Sequence, residues 1–197
     1  MTDRDESEHV ALPDAGERGA IVLVSGTRGA GKTTLLMAMR EAAQAAGLVV
    51  GGVISVARFE GSEKTGIDVL DAGSGAQQSL AVYSPKPHGL IQTGRYTFDP
   101  AGLAAGLAYA RAGQTADLFI IDELGPLELE RGEGWAPVLP MIRARQFGVA
   151  LVVVRPDLLD AARAALDLPA GAPVITLSPD TRVYWRERLF AWIAARG

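Results

Sequence analysis

Gly26-Thr27-Arg28-Gly29-Ala30-Gly31-Lys32-Thr33 fits G-x-x-x-x-G-K-[ST], the pattern of a phosphate-binding loop. The spacing follows from what a polyphosphate requires. Glycines let the backbone curl until successive N–H groups point inward at phosphate oxygens, making a nest at a helix N-terminus. In such a loop Lys32 is expected to reach the β- and γ-phosphates as a point charge, and the Thr33 hydroxyl to ligate Mg²⁺. The expected phosphate-binding set is Gly26, Thr27, Arg28, Gly29, Ala30, Gly31, Lys32, Thr33 and Thr34.

The flanks carry as much weight as the loop. Ala20-Ile21-Val22-Leu23-Val24-Ser25 is a short apolar run rich in β-branched residues, which predicts a buried strand. After the loop, Leu35, Leu36, Met39, Ala42, Ala43 and Ala46 recur at helical spacing until Gly47, a suitable C′ stop. Strand, glycine loop and helix is the context that the motif demands.

Composition bounds the remaining choices. A chain of 197 residues suits one domain with a sizeable core, and 48% hydrophobic with 21% charged residues places it among soluble globular proteins. There is no cysteine, which excludes disulfides, thiolate metal sites and a thiol nucleophile. The longest apolar runs, such as 148–154, fall far short of the ~20 residues a membrane helix needs. The first residues are acidic rather than basic and then apolar, so no secretory signal is expected and the cytoplasm is the expected location.

Charge is unevenly placed. Residues 1–18 hold Asp3, Asp5, Glu6, Glu8, Asp14 and Glu17 against Arg4 and Arg18, a net −4 that equals the charge of the whole chain. The body is therefore neutral, and nucleic acid is not an expected partner. The acidic stretch lacks periodicity and is expected to be a disordered tail through residue 18, with one domain over 19–197. A protein partner could use that tail or the final helix.

Along the chain, Leu48–Ser55 reads as a second strand whose paired glycines suggest a bulge or a close backbone approach. Short runs at Val56–Phe59, Gly66–Leu70 and Gln78–Tyr83 alternate with turns, which predicts hairpins inserted after that strand. Asp99-Pro100 opens a helix through Leu103, Leu107 and Ala110 to Gly113, with Asp99 as N-cap and proline at the first helical position. A strand at 117–123, a helix at 137–146, a strand at 149–154, a short helix at 156–166 and a strand at 173–177 follow. Ser178-Pro179 is read as a second cap, opening a final helix at about 180–195 with Val183, Leu189, Phe190 and Ile193 on its broad apolar face. Alternating strands and helices argue for an α/β fold with a mostly parallel central sheet and a small β-hairpin insert.

Asp122 and Glu123 close a buried strand, Ile120-Ile121-Asp122-Glu123. An aspartate at such a strand end can hold Mg²⁺, the second anchoring role beside Thr33. A glutamate after it can orient or deprotonate an attacking water. Ligands of open α/β sheets bind beyond the carboxyl ends of the strands, where this pair and the glycine loop both fall.

Here a resemblance becomes specific. Ile121-Asp122-Glu123-Leu124-Gly125-Pro126-Leu127-Glu128 resembles the Asp-Glu-Ile-Gly-x-Met/Leu-Glu signature of a small P-loop nucleoside-triphosphatase family found in archaea and bacteria, with a cancer-related human member. Gly51-Gly52-Val53-Ile54, the later Gly66-Ile67-Asp68-Val69, and Gly94-Arg95-Tyr96 before Asp99 are similar to further segments of that family, so the likeness covers roughly residues 20–168. Arg28 stands where the family often has a small residue or proline, and the loop 130–135 and the acidic tail lie outside the likeness. The resemblance implies a three-layer, RecA-like P-loop NTPase core. It also implies Mg²⁺-dependent hydrolysis of nucleoside triphosphates, slow and tolerant of base identity, ATP and GTP included. In that frame Lys32 and Thr33 serve phosphate and metal, Asp122 the metal, and Glu123 the water.

Arg95 is a further catalytic candidate, as an arginine finger or γ-phosphate sensor freed by Gly94. Arg28, Arg58, Arg131 and Glu128 are weaker candidates, each with a solvated or local backbone role as its alternative. His9 and His88 lack partners at ligand spacing, and Trp135, Trp185 and Trp192 are read as core or interface. Two other functions compete with hydrolysis: a kinase acting on a nucleotide, small molecule or RNA end, and a nucleotide-dependent switch or adaptor. A kinase usually carries an arginine-rich lid, and only Arg131 falls between Gly125 and Pro137.

Overall fold

The computed structural model describes residues 10–83, 91–93 and 96–197. The apolar run before the glycine loop is β1 (Ala20–Ser25), buried along its whole length. A strand covered on both faces needs apolar side chains at every position, not at alternate ones. The loop then feeds α1 (Lys32–Ala45), which buries Leu35, Leu36, Met39 and Ala43 at the predicted spacing.

The remaining elements are β2 (Val50–Glu60), β3 (Glu63–Asp71), β4 (Gln77–Tyr83), β5 (Gln92–Thr93), β6 (Tyr96–Phe98), α2 (Pro100–Gly113), β7 (Leu118–Leu124), α3 (Pro126–Leu129), α4 (Val138–Arg143), β8 (Val149–Val154), α5 (Leu159–Ala165), β9 (Val174–Thr176) and α6 (Arg182–Ala194). Among the described residues the strands form one sheet in the order β5-β6-β4-β3-β2-β7-β8-β1-β9. From β2 to β9 every pairing is parallel. From β2 outward to β5 every pairing is antiparallel.

The insert is thus no appendage. β2 pairs with β7 over Val50–Val53 and with β3 over Val53–Glu60, so the hairpin continues the same sheet. Side chains of β1 alternate between two cores. Val22 and Val24 join α1 and α6 on one face, while Ile21 and Leu23 join α2, α4 and α5 on the other. This is a three-layer α/β architecture.

The glycine pair of β2 marks a close backbone approach. A Cβ on Gly51 would stand 2.4 Å from Gly113 Cα, and one on Gly52 (φ 106°) would stand 2.0 Å from Ile120 O. The end of α2 can therefore rest on the sheet only because no side chain intervenes. α2 starts as read, with the Asp99 carboxylate accepting from Ala101 N at 2.9 Å. α4 is shorter than expected, because Arg145 turns into the left-handed region at φ 49°.

Two expectations about the ends are corrected. α6 buries Trp185, Leu189, Trp192 and Ile193, while Val183 and Phe190 are exposed. Its entry is one turn later than read: Ser178 and Thr181 bond each other's main-chain N–H, and the helix begins at Arg182. The acidic tail is not free through residue 18. Arg188, Trp192 and Arg196, at successive i, i+4 positions of α6 and its end, donate to the carbonyls of Val10, Pro13 and Asp14. Composition could not show this, because the acceptors are main-chain groups; Met1–His9 lie outside the described residues.

Candidate active site

The glycine loop follows β1, and β7, which carries the carboxylate pair, stands two places away with β8 between them. In a parallel sheet both strand ends open on the same edge. Gly31 (φ 98°) takes the left-handed conformation immediately before α1, and Gly29 lies at φ 84°. Gly26 (φ 143°) leaves the strand where a Cβ would stand 2.4 Å from Leu177 O. The first N–H groups of a helix have no partner within it, the arrangement that an anion at a helix N-terminus uses.

Lys32 lies inside that loop. Its Nζ donates to Gly26 O at 2.6 Å and to Thr27 O at 3.0 Å, so the ammonium group sits over the nest. Thr27, Arg28, Gly29 and Thr34 are exposed, while Ala30 is buried against the core. Across the cleft Thr33 Oγ1 donates to Asp122 Oδ2 at 3.0 Å, joining residues 89 positions apart. Ser55 N donates to the same oxygen at 3.1 Å, and Ser55 Oγ donates to Asp122 O at 3.4 Å.

Asp122 is only 2% exposed. Burial raises its pKa to about 7, while the Thr33 and Ser55 hydrogen bonds and the Lys32 charge pull the other way and Glu123 adds to the rise. Glu123 is exposed, and its backbone occupies the left-handed region at φ 72°, rare for a residue with a side chain. The pairing of β7 with β8 shifts between Ile121 and Leu124, so the strand is distorted at the carboxylate pair.

Thr33 and Asp122 supply oxygen donors only, the chemistry that a hard divalent cation takes. Among the described residues no cluster of three or more His, Cys, Asp or Glu is placed to hold a metal. Two protein oxygens suit a Mg²⁺ ion that takes its remaining ligands from phosphate and water.

The other candidates separate. Glu128 is 8% exposed and spends both oxygens on main-chain donors, Gly125 N at 3.0 Å and Trp135 N at 3.0 Å. Burial raises its pKa, and those two bonds oppose the rise. Arg58 belongs to the hairpins, bonding Asp68 at 2.7 Å and Ser79 at 3.2 Å. Arg131 donates to Gln92 O at 3.1 Å and pairs with Glu133. Arg95, Gly94 and His88 lie outside the described residues. The three tryptophans are core residues.

Sequence reasoning missed Ser55, whose contribution is a backbone N–H and leaves no residue-type signal. Glu128 takes the local backbone role that the sequence offered as its alternative. Proline at the first helical position and glutamate at the third, after Gly125, is the pattern of a capping glutamate.

A family model described as NTPase matches residues 21–167, three quarters of the chain, including the glycine loop and the Asp122–Glu128 stretch. The chain belongs to this family. The Nucleoside-triphosphatase THEP1 of Pyrococcus abyssi is 36% identical over 112 residues, covering 56% of this chain and 61% of that relative. Its counterpart from Caldivirga maquilingensis is 27% identical over 132 residues, covering 67% of this chain and 74% of the relative. The chain thus spans less than two thirds of the Pyrococcus relative's length. Solved structures share the family's fold. The solution structure of a human cancer-related nucleoside triphosphatase superposes with TM-score 0.68 at 21% identity, over 87% of this chain and 96% of that one. The crystal structure of THEP1 from Aquifex aeolicus gives TM-score 0.62 at 20% identity, over 88% of this chain and 98% of that one.

Proposed function

We propose that this chain hydrolyses nucleoside 5′-triphosphates to the diphosphate and inorganic phosphate, with Mg²⁺, slowly and with little preference among bases. The observation that carries the reading is the 3.0 Å contact between Thr33 and Asp122, with the exposed Glu123 beside it. It joins the end of the glycine loop to the end of β7, and in this reading the two oxygens are a metal anchor and Glu123 is the carboxylate that serves the water.

The loop N–H groups and Lys32 bind the triphosphate and hold its γ-phosphorus in place. Thr33 and Asp122 would hold Mg²⁺, which when bound would supply positive charge to neutralise the phosphate oxygens. Glu123 orients a water and takes its proton as the new P–O bond forms and the bond to the β-phosphate oxygen breaks. Phosphoryl transfer asks mainly for positioning and charge neutralisation, which this set supplies. The kinase alternative is weakened by Arg131, the one arginine of its candidate lid, because that side chain is engaged with Gln92 and Glu133.

Among the described residues no helix is long and apolar enough to cross a membrane. A cytoplasmic location, ATP and GTP alike as substrates, Arg95 as a source of charge at the γ-phosphate, and a protein partner at the acidic N-terminus or α6 belong to the same proposal. The deciding experiment is phosphate release from the purified protein with each nucleoside triphosphate, with and without Mg²⁺. Glu123→Gln should keep nucleotide binding and lose roughly 10²–10³-fold in kcat, whereas Lys32→Ala should weaken both. Full turnover by Glu123→Gln would sink the assignment.

A further inference from the structure

Glu123 holds a backbone conformation that a side chain disfavours, on a strand whose pairing slips at that point. Such a conformation persists only where its surroundings over-determine it. The clamp is found two residues on. Gly125 N donates to Glu128 Oε2 and Trp135 N donates to Glu128 Oε1, both bonds buried. Trp135 Nε1 in turn donates to Leu103 O of α2 at 3.0 Å. Its ring lies against Gly106, where a Cβ would stand 2.4 Å from Cζ2. A continuous chain of contacts therefore runs from the helix layer through Trp135 and Glu128 to the backbone beside Glu123.

We infer that Glu128 is a positioning residue for hydrolysis, holding Glu123 in its left-handed conformation through the Gly125 amide. The inference rests on the hydrolytic reading above. Only a carboxylate offers two acceptors to two inward-pointing N–H groups. A glutamine would turn an NH₂ group against one of them. Among the described residues no cation pairs with Glu128, so its attachments to the chain are these main-chain bonds.

The test is a double-mutant cycle on kcat and KM with Glu128→Gln, Glu123→Gln and the pair, together with the affinity of a non-hydrolysable nucleoside triphosphate analogue. Glu128→Gln should lower kcat about tenfold while KM and analogue affinity stay within about twofold. In the Glu123→Gln background the same change should cost nothing more, because Glu128 acts through Glu123. An equal loss in both backgrounds, or a change in KM with kcat untouched, overturns the inference. If Glu128→Gln does not fold, Trp135→Phe, which removes the Nε1 link to Leu103 and the indole contact with Gly106 but keeps the Trp135 main-chain N–H, goes through the same cycle with the same criteria. A wild-type protein that releases no phosphate, or a fully active Glu123→Gln, overturns the hydrolytic reading and this inference with it. An active wild type, a dead Glu123→Gln and an additive cycle overturn the positioning role alone.

Discussion

Asp122 and Glu128 are both carboxylates that folding takes out of water, on the same turn of chain, yet they are committed in opposite ways. Thr33 and Ser55 both donate to one oxygen of Asp122, Oδ2, and the Thr33 hydroxyl can rotate away. Glu128 has each oxygen on a main-chain N–H that cannot leave without unfolding the loop. Desolvation is the first cause of the raised pKa in both. What separates them is the mobility of their partners. A buried acid with a yielding partner and a lysine nearby is available to a cation, whereas one saturated by backbone is a structural pin.

Replacing the charge at Asp122 should break this contrast most visibly. Asp122→Asn should cost on the order of 10³ in kcat, as expected when a transition-state charge contact is lost. At pH 8 and without Mg²⁺, however, it should melt at a higher temperature than the wild type, since a buried negative charge has been removed. A melt at or below wild type would mean that Asp122 is not the uncompensated charge that its burial implies.

The pH dependence of stability sharpens the same point. The Asp122 carboxyl binds its proton more tightly folded than unfolded, with a pKa of about 7 against 3.8. The folded state therefore holds the extra proton between those values. This group's contribution to stability is fully present below about pH 4, is lost as pH rises to about 7, and is flat beyond, on the order of 4 kcal/mol in all. Denaturant titrations of metal-free protein at pH 5 and pH 8 should reveal that slope. Asp122→Asn should flatten it, and Mg²⁺ should offset it at the alkaline end.

The smallest effect is expected on the pinned side. Gly134 lies at φ 59°, and a Cβ there would stand 2.5 Å from Glu128 Oε1. Gly134→Ala should destabilise by about 1–2 kcal/mol and lower Tm by roughly 4 °C. A thermal melt unchanged by the substitution would show that the loop yields and that Glu128 is less firmly held than its bonds suggest.

Much of this site is legible in the amino-acid sequence. The glycine loop is a contiguous eight-residue pattern whose chemistry is local, and Asp122-Glu123 follows an apolar run that announces its own strand. Asp99-Pro100 and the helix after it came out as read because a cap acts within two residues. Where the structure differs from the sequence pattern, the reason is tertiary in each case. The spacing puts Val183 and Phe190 on the broad apolar face of α6, but three successive turns of that helix present Trp185, then Leu189, then Trp192 and Ile193 to the core. Periodicity identifies an apolar stripe, and a helix with apolar residues on several faces offers more than one. Residues 10–18 read as a disordered tail from composition because their anchors are carbonyls contacted by side chains nearly 180 positions away.

By itself the amino-acid sequence determined the α/β class, the phosphate loop, the strand-end carboxylate pair and the family resemblance, since each is written in short runs with their own backbone requirements. The tertiary structure alone decided that Thr33 and Asp122 meet at 3.0 Å and that Ser55 N–H shares the same oxygen. It alone decided that the hairpin insert extends the central sheet, and that Glu128 pins the backbone beside Glu123. Those facts depend on strand order and on main-chain partners far apart in the chain, and a backbone N–H is the same in every residue that carries one.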